Sequence, residues 1–191
     1  MRIGIWGDSI VYGKCDSEGL GWVGRWRASL FKQDEIEIYN FGVCRDSSED
    51  VLKRFPTEVG SISPDIIVIS VGLNDAKIPV GQTETHVPLD RFKKNIQALL
   101  TSSQKYAQKI YLLGLTKADD GFIRHTGTRF LNEIIEKYNL ALLESAQDCG
   151  VVFIPMFEHL DTSTDLSDGL HPNKTGYEKM FNIINENVKI F

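Results

Sequence analysis

The stretch DIIVIS, residues 65–70, decides the fold: an acid leads into four consecutive aliphatic side chains, Ile66 to Ile69, and the run stops at Ser70. Side chains of a strand point alternately to its two faces, so an unbroken aliphatic run is apolar on both. Such a strand belongs at the centre of a parallel sheet covered on each side by helices. Working outward, RIGIW (2–6), EIEIYNF (35–41), KIYLLG (109–114) and VVFIP (151–155) are the other strand candidates. The segments between them carry helical spacing. In Leu89 to Gln108, Phe92, Ile96, Leu99 and Leu100 fall on one face, and a last helix is expected from about Lys174 to Val188. The alternation predicts a three-layer α/β/α sandwich around one five-stranded parallel sheet. No repeat, low-complexity tract or linker divides the 191 residues, so one domain spanning 1–191 is expected.

Composition removes several function classes. The net charge is -5, and the densest basic groups, Arg25 to Arg27 and Lys93-Lys94, lie in helix-like stretches as solvated faces. No basic stripe of the kind that neutralises phosphates is present, so nucleic acid is not an expected partner. Three cysteines, Cys15, Cys44 and Cys149, are an odd number without CxxC spacing, which suggests neither a disulfide framework nor a zinc site. Met1 and Arg2 lead straight into the first strand, no apolar signal region precedes it, and no window reaches the length of a membrane span. A reducing, cytoplasmic location is the expectation.

Ligands of parallel α/β sheets sit beyond the carboxyl ends of the strands, so the segment after each strand is informative. Gly7-Asp8-Ser9 follows the first strand, Asn40-Phe41-Gly42 closes the second, Gly72-Leu73-Asn74-Asp75 follows the third, and SDGLHPNKTGY (167–177) comes after the fifth. A serine there can simply end a strand, or it can be a nucleophile if a base takes its proton. His171 is the imidazole that follows the last strand, and Asp168, three residues before it, can reach the ring Nδ1 to fix its tautomer. Asp161 and Asp165 are rivals with less direct spacing. His86 and His125 lie in loops facing the same edge and are weaker base candidates. Asp8 and His125 are candidate substrate contacts. The oxyanion formed on attack needs donors already in place: the backbone N–H of Ser9, the backbone N–H of Gly42 and the side-chain amide of Asn74 are available, each worth roughly 2.7 to 4 kcal/mol in such sites.

Four blocks in this order, GDSI (7–10), the glycine after the second strand, GLND (72–75) and DGLHP (168–172), resemble those of the SGNH hydrolase family, the GDSL esterases and lipases. The likeness covers nearly the whole chain and departs from the family's name only in Ile10 for leucine, a swap of similar volume. It implies a flavodoxin-like sheet, a triad of Ser9, Asp168 and His171, an oxyanion hole from Ser9, Gly42 and Asn74, and neither metal nor organic cofactor. Two other patterns lead elsewhere. GLGWVG (19–24) satisfies the dinucleotide fingerprint but begins well past the first strand, and no acid closes the second strand to hold a ribose. The GxSxG elbow of ordinary α/β-hydrolases is absent around Ser9.

The expected activity is therefore hydrolysis of a small-molecule ester. The polar loops Asp75 to Val87 and Thr116 to Gly127, with KADDG (117–121) and GQTETH (81–86), offer no broad apolar surface, which favours short acyl groups such as acetyl on a sugar or another small polar carrier. A thioesterase or lysophospholipase is the alternative within the family. A non-catalytic flavodoxin-like binding domain, with Asp8 and Asp75 holding a cation or phosphate, is the alternative outside it. The sequence carries no information on oligomeric state.

Overall fold

The computed structural model describes residues 1–31, 35–121 and 127–190. Five strands form one sheet in the order β2-β1-β3-β4-β5: β1 Arg2–Gly7, β2 Glu37–Gly42, β3 Ile66–Ser70, β4 Lys109–Leu113 and β5 Val152–Ile154. All four pairings are parallel. This is the flavodoxin-like order, and its switch point lies between β1 and β3, where the chain first winds one way and then the other. The aliphatic run keeps the place its sequence predicts. Ile66 to Ile69 are buried, β3 is flanked by β1 and β4, and helices cover both faces.

The helices are α1 Ser9–Tyr12, α2 Gly21–Ser29, α3 Ser48–Ile62, α4 Leu73–Ala76, α5 Leu89–Ser103, α6 Asn132–Cys149 and α7 Lys174–Asn187. Right-handed crossovers place helices that follow opposite steps along the sheet on opposite faces. Accordingly α1, α2 and α7 pack together, and α3, α5 and α6 pack together. Phe92, Ile96, Leu99 and Leu100 of α5 all face the core. That helix ends five residues earlier than the expected Gln108, at Ser103. There the Ser103 hydroxyl donates back to the Leu99 carbonyl at 2.8 Å, and the chain tightens through i→i+3 turns at Lys105 and Tyr106 before entering β4. GLGWVG is the entry to α2, which starts at Gly21, and Trp22 and Trp26 are buried against the core. Among the described residues no helix is long and apolar enough to cross a membrane.

Candidate active site

β1 ends at Gly7, and the next two residues begin a single helical turn. Asp8 caps that turn by accepting from the Ile10 N–H at 2.9 Å, which leaves Ser9 at the first helical position with its own N–H unused by the helix. Ser9 is 6% exposed and His171 4% exposed. The Ser9 Oγ lies 2.9 Å from His171 Nε2, and His171 Nδ1 lies 2.9 and 3.0 Å from the two oxygens of Asp168. With a carboxylate against Nδ1, the neutral ring keeps its proton there and offers the Nε2 lone pair to the serine hydroxyl. A tight turn holds the acid in place: Asp168 Oδ1 also accepts from the backbone N–H of Leu170 at 3.3 Å and of His171 at 2.9 Å. The rivals are engaged elsewhere. Asp165 is buried against Lys179 at 2.7 and 2.9 Å, and Asp161 accepts from Ser163. His86 and His159 are exposed and line no part of the Ser9 cleft.

On the other side of the switch point, α4 carries Asn74, whose Nδ2 donates to the Asp46 carbonyl at 3.1 Å and keeps a second N–H for another acceptor. Gly42 departs from expectation. Its N–H donates to Asn40 Oδ1 at 2.8 Å, and it does not line the cleft around Ser9. The glycine is needed for packing: a Cβ there would stand 2.3 Å from the Tyr12 nitrogen, because α1 crosses directly over β2. Arg45, three residues on, does line the cleft. Arg45 adopts φ 78° in the turn closed by Asp46 N–H to Val43 O at 3.2 Å, and no acceptor among the described residues takes its N–H. A left-handed conformation in a residue with a Cβ costs roughly 1 to 2 kcal/mol, so the turn is held by its surroundings. Arg54 supplies them: its Nε pairs with Asp46 at 2.7 Å, its Nη1 pairs with Glu58, and its Nη2 donates to both the Gly7 and Phe41 carbonyls at the ends of β1 and β2.

Two acids lie buried under the switch point. Asp75 is 0% exposed and accepts from the backbone N–H and hydroxyl of Ser48, tying α4 to the start of α3. Burial raises it to about 7 against the bonds from Ser48, with the nearby Asp8 charge adding to the rise. Asp8 is likewise raised to about 7, chiefly by burial. Expected as a substrate contact, Asp8 is instead 3% exposed, caps α1 and does not line the cleft. Neither acid is open to solvent as a cation or phosphate site would be. The other candidate contact, His125, lies outside the described residues.

The cleft has a volume of about 480 Å3, within the range of small-molecule sites. Ser9, Asn74 and His171 line it, together with Lys14, Cys44, Arg45, Lys77, Thr128, Phe130 and Leu170. Sequence reasoning missed Arg45 and Lys77, although both stand in the polar segments that follow β2 and β3. It also missed Cys15, whose exposed thiol lies 3.9 Å from Asp168 Oδ2. Cys15, Asp168 and His171 form a cluster of metal-capable groups among the described residues, with ligand atoms within 4.8 Å of one another.

The fold and the residues gathered at its switch point define an α/β hydrolase of the flavodoxin-like kind. More narrowly, residues 5–179 match the model of the GDSL-like Lipase/Acylhydrolase family, and the chain belongs to that family as a carboxylic ester hydrolase. The resemblance read from the four blocks is thus confirmed. A human relative, isoamyl acetate-hydrolyzing esterase 1 homolog, is 24% identical over 196 residues, covering 93% of this chain and 79% of that protein. Among solved structures, the acetyl xylan esterase AlAXEase superposes with a TM-score of 0.80 at 20% identity, over 99% of this chain and 100% of that one. Axe2, an acetylxylan esterase from Geobacillus stearothermophilus, does so at 0.78 and 17%, over 98% and 94%.

Proposed function

We propose that the protein cleaves short-chain acyl esters, acetyl esters foremost, through a Ser9, His171, Asp168 triad and an acyl-enzyme. The observation that carries this reading is the unbroken relay from Ser9 Oγ to His171 Nε2 at 2.9 Å and from His171 Nδ1 to Asp168 at 2.9 Å. As Ser9 attacks the ester carbonyl, its proton passes to Nε2 and Asp168 stabilises the imidazolium. The oxyanion is met by the Ser9 N–H, the second N–H of Asn74 Nδ2 and the Arg45 N–H, with Gly42 left to its packing role. Collapse gives the Nε2 proton to the departing alkoxide. Water, deprotonated by the same nitrogen, then releases the acid and restores the serine.

The short acyl preference rests on the polar cleft lining and on the human relative, whose name specifies an acetate ester. The test of the nucleophile is incubation with a fluorophosphonate, intact mass measurement and peptide mapping. A single adduct on Ser9, lost in His171→Ala, is the expected result. A folded protein that takes no adduct at Ser9 would remove the triad. Chain length is read separately from 4-nitrophenyl acetate against decanoate, where faster decanoate turnover at equal concentration contradicts the acetyl assignment.

A further inference from the structure

We infer that the alcohol part of the substrate carries an anionic group, a carboxylate or a phosphate, bound by Arg45 and Lys77 at the cleft that holds Ser9. The inference rests on the esterase reading for the position of the ester, and on three separate observations for the charge.

The first is charge placement. In a chain of net charge -5, the three ionisable groups other than His171 and Cys44 that line the cleft are all cations, Lys14, Arg45 and Lys77. Among the described residues none of the three forms an ion pair, whereas the neighbouring cations do: Arg25 pairs with Asp16 and Glu18, Arg54 with Asp46 and Glu58, Lys174 with Glu18, and Lys179 with Asp165. A cation left without a carboxylate in a concave cleft is an anion site when a ligand arrives.

The second is the backbone of Arg45. Its φ of 78° is the conformation that glycine adopts most readily, and the proposed oxyanion hole would need only the backbone N–H of this residue. Placing the longest cationic side chain at a position where a hydrogen would be easier argues that the guanidinium itself is used. An outlier of this kind at a functional site is the proper starting point for a functional hypothesis.

The third is the local field at Lys77. Burial holds its ammonium below the usual value, the acids Asp75 and Asp50 act against burial, and Arg45, a smaller influence than either, acts with it, Asp8 again opposing. Two cations that feel one another across a partly buried cleft are relieved by an anion between them. An acetyl group is too small to occupy a cleft of about 480 Å3 and has no position for a charge, so the anion belongs to the alcohol.

The test compares 3-acetoxybenzoate and 3-acetoxyphenyl phosphate with the neutral 3-acetoxybenzamide, each rate divided by that ester's own hydroxide-catalysed rate. The expected result is a kcat/KM ratio of anionic to neutral ester of at least about tenfold at low salt, falling severalfold in 0.5 M NaCl as screening sets in. Arg45→Gly, which keeps the backbone N–H and its conformation, and Lys77→Gln are each expected to lower that ratio at least threefold, the variant's own neutral-ester rate being the reference. A larger ratio for the phosphate than for the carboxylate assigns the ligand as a phosphate, and the reverse order as a carboxylate. A ratio of one or less in the wild type, or a ratio that neither substitution moves, overturns the inference. Calorimetry on Ser9→Ala separates this from failure of the esterase reading: 3-hydroxybenzoate or 3-hydroxyphenyl phosphate is expected to bind more tightly than 3-hydroxybenzamide whether or not any ester is cleaved, and equal affinities overturn the inference.

Discussion

The two ends of the sheet are built on opposite terms. At the amino end the strands begin among exposed, mutually satisfied groups: Arg2 donates to Asp65 and to the Ile62 carbonyl and pairs with Glu37 at 3.4 Å, all near water. At the carboxyl end the chain buries Asp8, Ser9, Asn74, Asp75 and His171, and of the three described non-glycine residues with positive φ, two, Cys15 and Arg45, stand beside these groups. Burying an acid and bending a residue with a Cβ into the left-handed region both oppose folding. The aliphatic body of the sheet offsets them. The comparison teaches that substitutions at the carboxyl end change chemistry, and change stability in ways that depend on pH, whereas substitutions at the amino end do little of either.

The largest expected effect is that of Ser9→Ala. Removing the hydroxyl deletes the nucleophile but leaves α1 its Asp8 cap, so the protein is expected to keep its circular dichroism spectrum and lose on the order of 10^4-fold or more in kcat on 4-nitrophenyl acetate. Activity within tenfold of wild type would mean that the buried polar groups at this end serve something other than Ser9 chemistry.

Asn74 and Gly42 divide the next effect. Asn74→Ala removes the side-chain N–H that the proposed mechanism directs at the oxyanion, and is expected to lower kcat by about 10^2- to 10^3-fold with a smaller change in melting temperature. Gly42→Ala brings a Cβ to 2.3 Å from the Tyr12 nitrogen, a backbone atom that cannot swing aside. It is expected to lower the melting temperature by several degrees or prevent folding, and the folded fraction, measured by active-site titration with the fluorophosphonate, is expected to turn over acetate at close to the wild-type rate. A well-folded Gly42→Ala protein with a hundredfold lower kcat would return the oxyanion role to Gly42.

That division also marks what the sequence could and could not disclose. The order of strands and helices was legible because burial on both faces leaves a visible run such as Ile66 to Ile69. The meeting of Ser9, His171 and Asp168 was legible because the first follows a strand and the other two sit three residues apart. Gly42 is harder to read because a glycine marks a close backbone approach without saying to what, and in the structure that approach is to α1. Arg45 was hidden for the converse reason: its place in the cleft wall comes with a left-handed turn, and nothing in an arginine's residue type announces one. The contact between Ser48 and Asp75 joins residues 27 apart, a distance at which no periodic pattern operates.

The buried acids give a third effect, smaller and dependent on pH. Asp75 is raised to about 7 by burial, while its unfolded counterpart titrates near 3.8. The folded state therefore holds a proton that the unfolded chain has released between those values, so the stabilisation present below about 4 is lost as pH rises through about 7. Asp8, raised in the same way, adds to this slope, and His86, lowered mainly by burial, opposes it near neutrality. Thermal unfolding is expected at a lower temperature at pH 8 than at pH 5. Asp75→Asn cannot titrate and is expected to flatten the dependence by up to one proton's share, about 1.4 kcal/mol per pH unit. An unchanged slope in the variant would mean that Asp75 stays ionised in the fold, held by Ser48 more firmly than burial opposes it.

The smallest effect belongs to the amino end. Arg2 and Glu37 face each other across β1 and β2 at 3.4 Å, with side chains 50% and 58% exposed. A pair so wet gains little Coulomb energy, loses side-chain freedom to hold its geometry, and typically contributes between about 0 and 1 kcal/mol. Arg2 does not depend on Glu37 for its position, because its backbone N–H donates to Asp65 at 2.7 Å and its Nη1 to the Ile62 carbonyl at 3.0 Å. Glu37→Gln is therefore expected to shift the melting temperature by no more than about 2 degrees and to leave acetate turnover unchanged, in 50 mM and in 500 mM salt alike. A loss of several degrees that disappears in high salt would show that this edge depends on its charges after all. The contrast would then be between two electrostatic designs, one exposed and screened by salt, the other buried and governed by protons.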